Sequence, residues 1–499
     1  MSKSKGGKRE PKVIKAPQTE PLIETIMEEC IRVQPLSYQE LIAELKPGTI
    51  FPPAIPVASG HIFTSSEGFK VAGKLAALYK FEPPALRAQV SRDTYAKAVL
   101  YALGDSILGI RDQTMDDVED WLAPMTALFK EKLTARLSGV KRDRTQIVPC
   151  HIFDHDQVAA TFEIGPVTFY PRPEWLKTLD AEVTRTDLID GVWSNSLSID
   201  DLRKMAFGSA ANDAIRGAYY AVTTIGPHWW IGVVNVTNYD PIQSSKKGTT
   251  LVSLAMDFLC LLFNPADGAR LVYAGGERMP LGERNLFADS QGKLLDSMKI
   301  NKPGIGGRPG WANDILNESL HLRKAAGTIL SRYDSESSSG KVSRLIERWV
   351  NALHWYGQAL REPSDFMAIV KYGCSIDILT GAGGNLGKMA SCAAVAFGCN
   401  SDTEINGRNL IDDLNLVFNE GRSALAHGTS FGVLAEKREE RALANSLVHH
   451  ILLAFTEPLA EIIGENNRML TLEDNELRAF KERLKSWAKK ESTAQEPAR

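Results

Sequence analysis

From Leu345 onward the chain is written in one period. Leu345, Trp349, Leu353, Tyr356 and Leu360 recur every three or four residues, the spacing of a helix with one buried face. Pro363 stops that helix, and Phe366, Ile369, Val370, Gly373 and Ile376 begin another. Gly381 to Gly384 predicts a loop, and Leu386 to Phe397 a helix of small residues. Leu410, Ile411, Leu414, Val417 and Phe418 form a further stripe. A helix from Glu436 to Glu457, kinked at Pro458, and a charged helix from Glu473 to Lys489 complete the set. About five or six helices in so short a stretch cannot bury their apolar faces alone, so residues 341–490 are expected to form a helical bundle.

The remainder obeys other rules. Residues 1–18 are rich in Lys, Gly and Pro and read as a disordered basic tail; residues 491–499 read as a second tail. Residues 19–144 are mainly helical in pattern, clearest over Tyr95–Leu108 and Val118–Leu137, with Phe51-Pro-Pro-Ala-Ile-Pro as an extended loop. At about Thr145 the text turns to short runs rich in Val, Ile, Tyr and Trp: Gln146–Phe153, Val158–Phe169, Tyr219–Ile225 and Trp229–Val236. These are strand signals, and residues 145–284 are read as a β-rich region with the apolar segment near Leu251 packed on it. Residues 285–340, with clustered Gly, Pro and Ser, read as an irregular linker. The expected fold class is therefore α+β, a helical and β-rich N-terminal region followed by an all-α C-terminal bundle.

Bulk properties narrow the function classes. A net charge of −3 over 499 residues argues against a chain-wide nucleic-acid surface and leaves room for a local basic site. The longest apolar candidate, Leu251–Phe263, carries Ser253 and Asp257 and is too short to span a bilayer, and no signal sequence opens the chain. Six scattered cysteines without a CxxC pair fit reduced thiols and a cytoplasmic setting.

Most motifs fail on spacing. Gly381-Ala-Gly-Gly-Asn-Leu-Gly-Lys388 resembles a phosphate loop, but such a loop needs four residues between its glycines and Ser or Thr after the lysine. Ser337-Ser-Ser-Gly-Lys-Val lacks the first glycine, so no nucleotide cofactor is expected. Cys150-His-Ile-Phe-Asp-His-Asp156 offers metal ligands, yet on a strand His151 and His155 share one face and Asp154 and Asp156 the other. Without a third ligand no metal site is expected, although a metal enzyme centred there is the third-ranked reading. Arg followed closely by His occurs as Arg144 with His151, Arg348 with His354 and Arg422 with His427. Only the last stands out: four residues beyond Phe418, the buried stripe lands on Arg422, and a guanidinium there calls for an anion. His427 and Gly428 follow at the expected helix end.

Three blocks around that stretch carry a resemblance. They are Ala352-Leu-His-Trp-Tyr-Gly-Gln-Ala-Leu-Arg-Glu362 leading to Ser375-Ile-Asp-Ile-Leu-Thr-Gly381, then Gly387-Lys-Met-Ala-Ser-Cys-Ala-Ala-Val-Ala-Phe397, then Asp412 to Gly428 ending in Arg-Ser-Ala-Leu-Ala-His-Gly. In order and spacing, over residues 340–460, the text resembles the Apea-like branch of the HEPN superfamily. Asp377 stands where those relatives usually place Glu, and Gly421 where they often carry a larger residue. The resemblance implies a HEPN-like bundle acting as a metal-independent endoribonuclease, with Arg422 and His427 catalytic. It also implies an anti-phage toxin of abortive infection, held inactive by an N-terminal sensing or restraining region until a phage-derived trigger appears.

The residues suit that chemistry. His can move the proton of a ribose 2′-hydroxyl or of the leaving 5′-oxygen, and Arg can hold phosphate oxygens as charge builds. Ser423 can bond the phosphate or cap locally; Asp377 can orient Arg422 or stand as a helix-edge carboxylate. In an unbroken α-helix Arg422 and His427 point about 140° apart. Either a distortion of the helix end or two motifs paired across a two-fold axis is needed, so the expected partners are RNA and further copies of this chain. The different-class alternative is a non-catalytic HEPN scaffold binding nucleotide or a protein, with Arg422 in a structural ion pair.

Overall fold

The computed structural model describes residues 18–43, 51–58, 60–111, 121–154, 160–181, 183–275, 282–288, 291, 293–300, 303–399, 404–405, 408–423, 436–465 and 480–486. The chain is α+β and divides into two compact units: residues 1–144 with 237–244, and residues 145–236 with 245–499. The pattern change at Thr145 is thus a physical boundary, whereas the β-rich middle and the C-terminal helices share one unit.

In the first unit, Thr19–Val33, Ser66–Ala76, Arg92–Arg111 and Leu122–Val140 are helices. They close over a core that includes Ile23, Ile26, Val99, Leu103, Met125 and Phe129. Ser65 starts one of them by accepting from Gly68 N. The expected loop after Phe51 is instead half of a hairpin, Ala54–Val57 against Gly60–Phe63. Gly104 admits it, since a Cβ there would overlap Pro56 O.

The second unit is built on a five-stranded sheet in the order Phe162–Ile164, Val167–Pro171, Trp230–Tyr239, Arg142–His151, Val272–Tyr273. The first pairs are antiparallel, with Phe169 opposite both Phe162 and Gly232. The helix Pro241–Cys260 packs on the sheet at Gly232, where a Cβ would lie 2.9 Å from Val252 Cγ1. Tyr219–Ile225, expected as a strand, is the end of the helix Asp213–Ile225. Asn212 caps its start, accepting from Ile215 N, and Ile215, Ala218, Val222 and Ile225 are buried at helical spacing. Tertiary burial overrode the β-branched composition there.

The stretch 285–340 is not an irregular linker. Among its described residues are most of the hairpin Gly282–Ala288 with Leu294–Ile300, and the helices Trp311–Glu318 and Leu320–Ser337. The long one packs on Arg438–Gly464 and buries Ala326, Ile329 and Leu330. Its Ser-rich end has the composition of a linker, yet Ser335 and Ser337 lie within the helix.

The C-terminal helices are Arg344–Leu360, Asp365–Thr380, Leu386–Ala396, Leu410–Asn415 and Arg438–Gly464. Leu345, Trp349, Leu353, Tyr356 and Leu360 are all buried, as the period predicts. Ser364 caps the second helix by accepting from Met367 N, and Gly381 ends it at φ 59°. Trp349 Nε1 donates to Thr456 Oγ1 at 3.1 Å, and Asn445 Nδ2 to Tyr372 OH at 2.7 Å. Two expectations change. The region is not wholly α, since Glu404–Ile405 pairs with Arg408–Asn409. The helix expected over Glu436–Glu457 is longer at its C-terminal end: Arg438–Gly464 runs past Pro458, with Phe455, Leu459 and Ile462 buried around it. By length and hydropathy this helix could cross a membrane, but half of its most apolar window is buried in the protein, as for a core helix. Of the charged helix Glu473–Lys489, residues 480–486 are described and helical.

Candidate functional site

The stripe Leu410, Leu414, Val417 and Phe418 is buried, and Ile411 half-buried. After Asn415 the winding widens: Leu416–Ser423 is a π-helix, with hydrogen bonds closing over five residues instead of four. Asn419 Nδ2 donates to Asn415 Oδ1 at 2.7 Å on the exposed side of the transition. Gly421 lets this segment press against Asp365–Thr380, because a Cβ there would stand 2.5 Å from Ile369 Cγ2. Neither the winding nor this contact was read from the sequence. At about 4.4 residues per turn a four-residue step falls about 33° short of a full turn, against about 40° beyond one in an α-helix, so the π winding does not by itself turn the backbone at Arg422 away from the face of Phe418. Arg422 and Ser423 end the π segment; their side chains, and His427 entirely, lie outside the described residues.

Asp377 sits in the last turn of Asp365–Thr380. Its Oδ1 accepts from Gly384 N at 2.9 Å and its carbonyl accepts from Ala382 N, so it shapes the Gly381–Gly384 turn. Gly383 and Gly384 both take positive φ there, as the turn requires.

A second constellation was not foreseen. Asp257, fully buried, receives Arg361 Nη2 at 2.7 Å. Arg361 is 4% exposed; its Nε donates to Leu271 O at 3.0 Å and its Nη1 to Gly357 O at 3.1 Å. Gly357 is required, since a Cβ would overlap Asp257 Oδ1. Among the described residues Asp257 Oδ2 has no hydrogen-bond partner, and the ring nitrogen His354 Nδ1 is 3.8 Å away on a half-exposed side chain. The ion pair joins residues too distant in sequence for spacing to show. The available signal was a single carboxylate inside the apolar run Leu251–Phe263.

At the strand end, Cys150 is buried and its thiol is pushed up to about 12 by burial. The rings of His151 and His228 lie tilted against each other with centroids 4.3 Å apart. Burial first, then the His228 ring, pulls His151 down to about 4. Asp154 N donates to Ile305 O at 3.0 Å, while His155 and Asp156 lie outside the described residues. Among the described residues no group of three or more His, Cys, Asp or Glu side chains is arranged to hold a metal. All six cysteines are free.

Comparison with family models, with curated proteins and with solved structures finds no match for this chain.

Proposed function

We propose that the protein is a HEPN-type, metal-independent endoribonuclease whose catalytic pair is Arg422 and His427. The observation that carries the reading is the π winding of Leu416–Ser423. An α-helix sets residues five apart on different faces, as noted above. A π-helix, with about 4.4 residues per turn, sets them only about 50° apart. The described winding runs through Arg422 to Ser423 and supports the reading from the upstream side, while the interval from there to His427 lies outside the described residues. π turns also concentrate at functional sites, where an altered winding re-aims a side chain.

In the proposed reaction His427 takes the proton of a ribose 2′-hydroxyl, whose oxygen attacks the adjacent phosphorus. The bond to the 5′-oxygen breaks, that oxygen gains a proton, and a 2′,3′-cyclic phosphate remains. Arg422 stabilises the charge on the non-bridging oxygens, and Ser423 contributes a further donor. Asp377 shapes the turn behind the site. Two copies of the chain, paired through the C-terminal helices, supply the second base or acid. The setting is cytoplasmic antiviral defence, with the N-terminal unit restraining the nuclease until a phage-derived trigger arrives.

The test is RNA cleavage by the wild type, Arg422→Ala and His427→Ala with EDTA present. Each substitution is expected to lower cleavage by about 10²-fold or more while the fold is retained. Equal cleavage by all three folded proteins sinks the nuclease and leaves the scaffold reading.

A further inference from the structure

A groove of about 580 Å³ runs along one face of Leu320–Ser337, floored where the Gly165 turn meets Gly327. Arg323, Lys324, Thr328, Ser331, Arg332 and Ser335 line it. Arg323 is 7% exposed, yet among the described residues no carboxylate comes within ion-pair distance. Its donors meet carbonyls alone: Nε and Nη2 reach Leu316 O, and Nη1 reaches Glu163 O at 3.5 Å. The ring of Phe162 lies 5.7 Å beneath the guanidinium. The Leu316 carbonyl, near the C-terminus of Trp311–Glu318, offsets part of the charge but carries no full negative unit. A nearly dry guanidinium met only by dipoles is an incomplete pair.

The negative groups nearby do not close it. Glu163 Oε1 accepts from Thr168 Oγ1 at 3.4 Å, on a side chain that is exposed at the rim. Glu336 is taken by Arg332 Nε at 2.7 Å. Lys324 is exposed and, among the described residues, enters no ion pair. From Lys324 to Ser335 the helix face is about 16 Å long, more than one phosphate covers. Three hydroxyls and three cations share it, and among the described residues no aromatic ring lines the groove for a base to stack on. These features suit a sugar–phosphate backbone, with the bases turned outward.

We propose that this groove binds the phosphodiester backbone of single-stranded RNA, resting on the ribonuclease reading above. It is not the cleavage site. Ile463 lines the groove, whereas Arg441, about 33 Å earlier on the same helix, pairs with Asp365 one turn from Ile369. The groove is therefore an exosite that holds a strand whose scissile bond lies elsewhere.

The experiment uses the full chain with His427→Ala, to prevent turnover, and a labelled oligouridylate in a salt series. Adding Lys324→Glu and Arg332→Glu, both at exposed positions, is expected to weaken binding at least tenfold. The slope of log affinity on log salt should flatten by about 1.4 or more. Arg323→Met, with thermal melting to confirm folding, should also weaken binding. Unchanged affinity and slope in the double variant overturn the exosite. So does tight one-to-one binding of inorganic phosphate that displaces the oligonucleotide, since the groove is then a small-anion site. Equal cleavage by the wild type, Arg422→Ala and His427→Ala, with groove-dependent binding intact, discards the nuclease and keeps the groove.

Discussion

Two arginines of the same compact unit are buried to a similar degree and meet opposite surroundings. Arg361 faces a buried carboxylate, Asp257, and has its remaining donors taken by two backbone carbonyls. Arg323 faces carbonyls and a ring, with an open groove beside it. Burial raises a desolvation cost in both cases and pulls the Arg323 pKa below its ordinary value. The Asp257 charge reverses that direction for Arg361. A buried cation that brings its own anion is a staple of the fold. One that lacks it has charge left over for something arriving from outside.

The comparison breaks most sharply at Arg361. Arg361→Ala strands Asp257 in the core, and a loss of about 3–5 kcal/mol in chemical denaturation is expected. A loss below about 1 kcal/mol would mean that the pair contributes nothing. Gly357→Ala attacks the same site from its backbone. In an ordinary helix that change helps by about 1 kcal/mol; here the methyl would overlap Asp257 Oδ1, and a loss of about 1–3 kcal/mol is expected instead.

His151 sharpens the contrast, because it meets burial by staying neutral. Its folded pKa of about 4 lies below the ordinary 6.5, so the unfolded chain binds the extra proton. The stability is complete above pH 6.5 and is lost as the pH falls towards 4. Discounted for its partial exposure, the loss is about 1–2 kcal/mol. Melting of the wild type and His151→Gln at pH 7.5 and 5 should show the wild type losing more on acidification. Parallel curves refute the assignment. The smallest effects belong to the groove: Arg323→Met is expected to cost about 1 kcal/mol in stability, and Lys324→Glu less than about 0.5 kcal/mol, measured without RNA.

These two arginines also mark where the text could be read. The helices from Leu345 to Thr380 follow directly from their stripes, because each has one buried face and clear stops at Pro363 and Gly381. The boundary at Thr145 was visible for the same reason, a change of period. Leu320–Ser337 was missed because serines at its end resemble a linker, and Asp213–Ile225 because β-branched residues fill its buried face. The Arg361–Asp257 pair was hidden because it links segments that no local period connects. For the candidate catalytic pair, spacing raised the need for a distorted helix end but could not say that the winding opens at Leu416. Gly421 was noted as small; that it lies against Ile369 needed the fold.

A π segment can be regarded as an α-helix that accommodates one surplus residue. Seen that way, Leu416–Ser423 is an inserted length held in place by the glycine contact at its far end. Removing Asn419 from the chain would let the helix close into ordinary winding without disturbing Leu410 or Leu414. Everything downstream would then turn by about 100° and draw back by one residue's rise. The point on the helix at which the backbone reaches Arg422 is thus set by a count of residues.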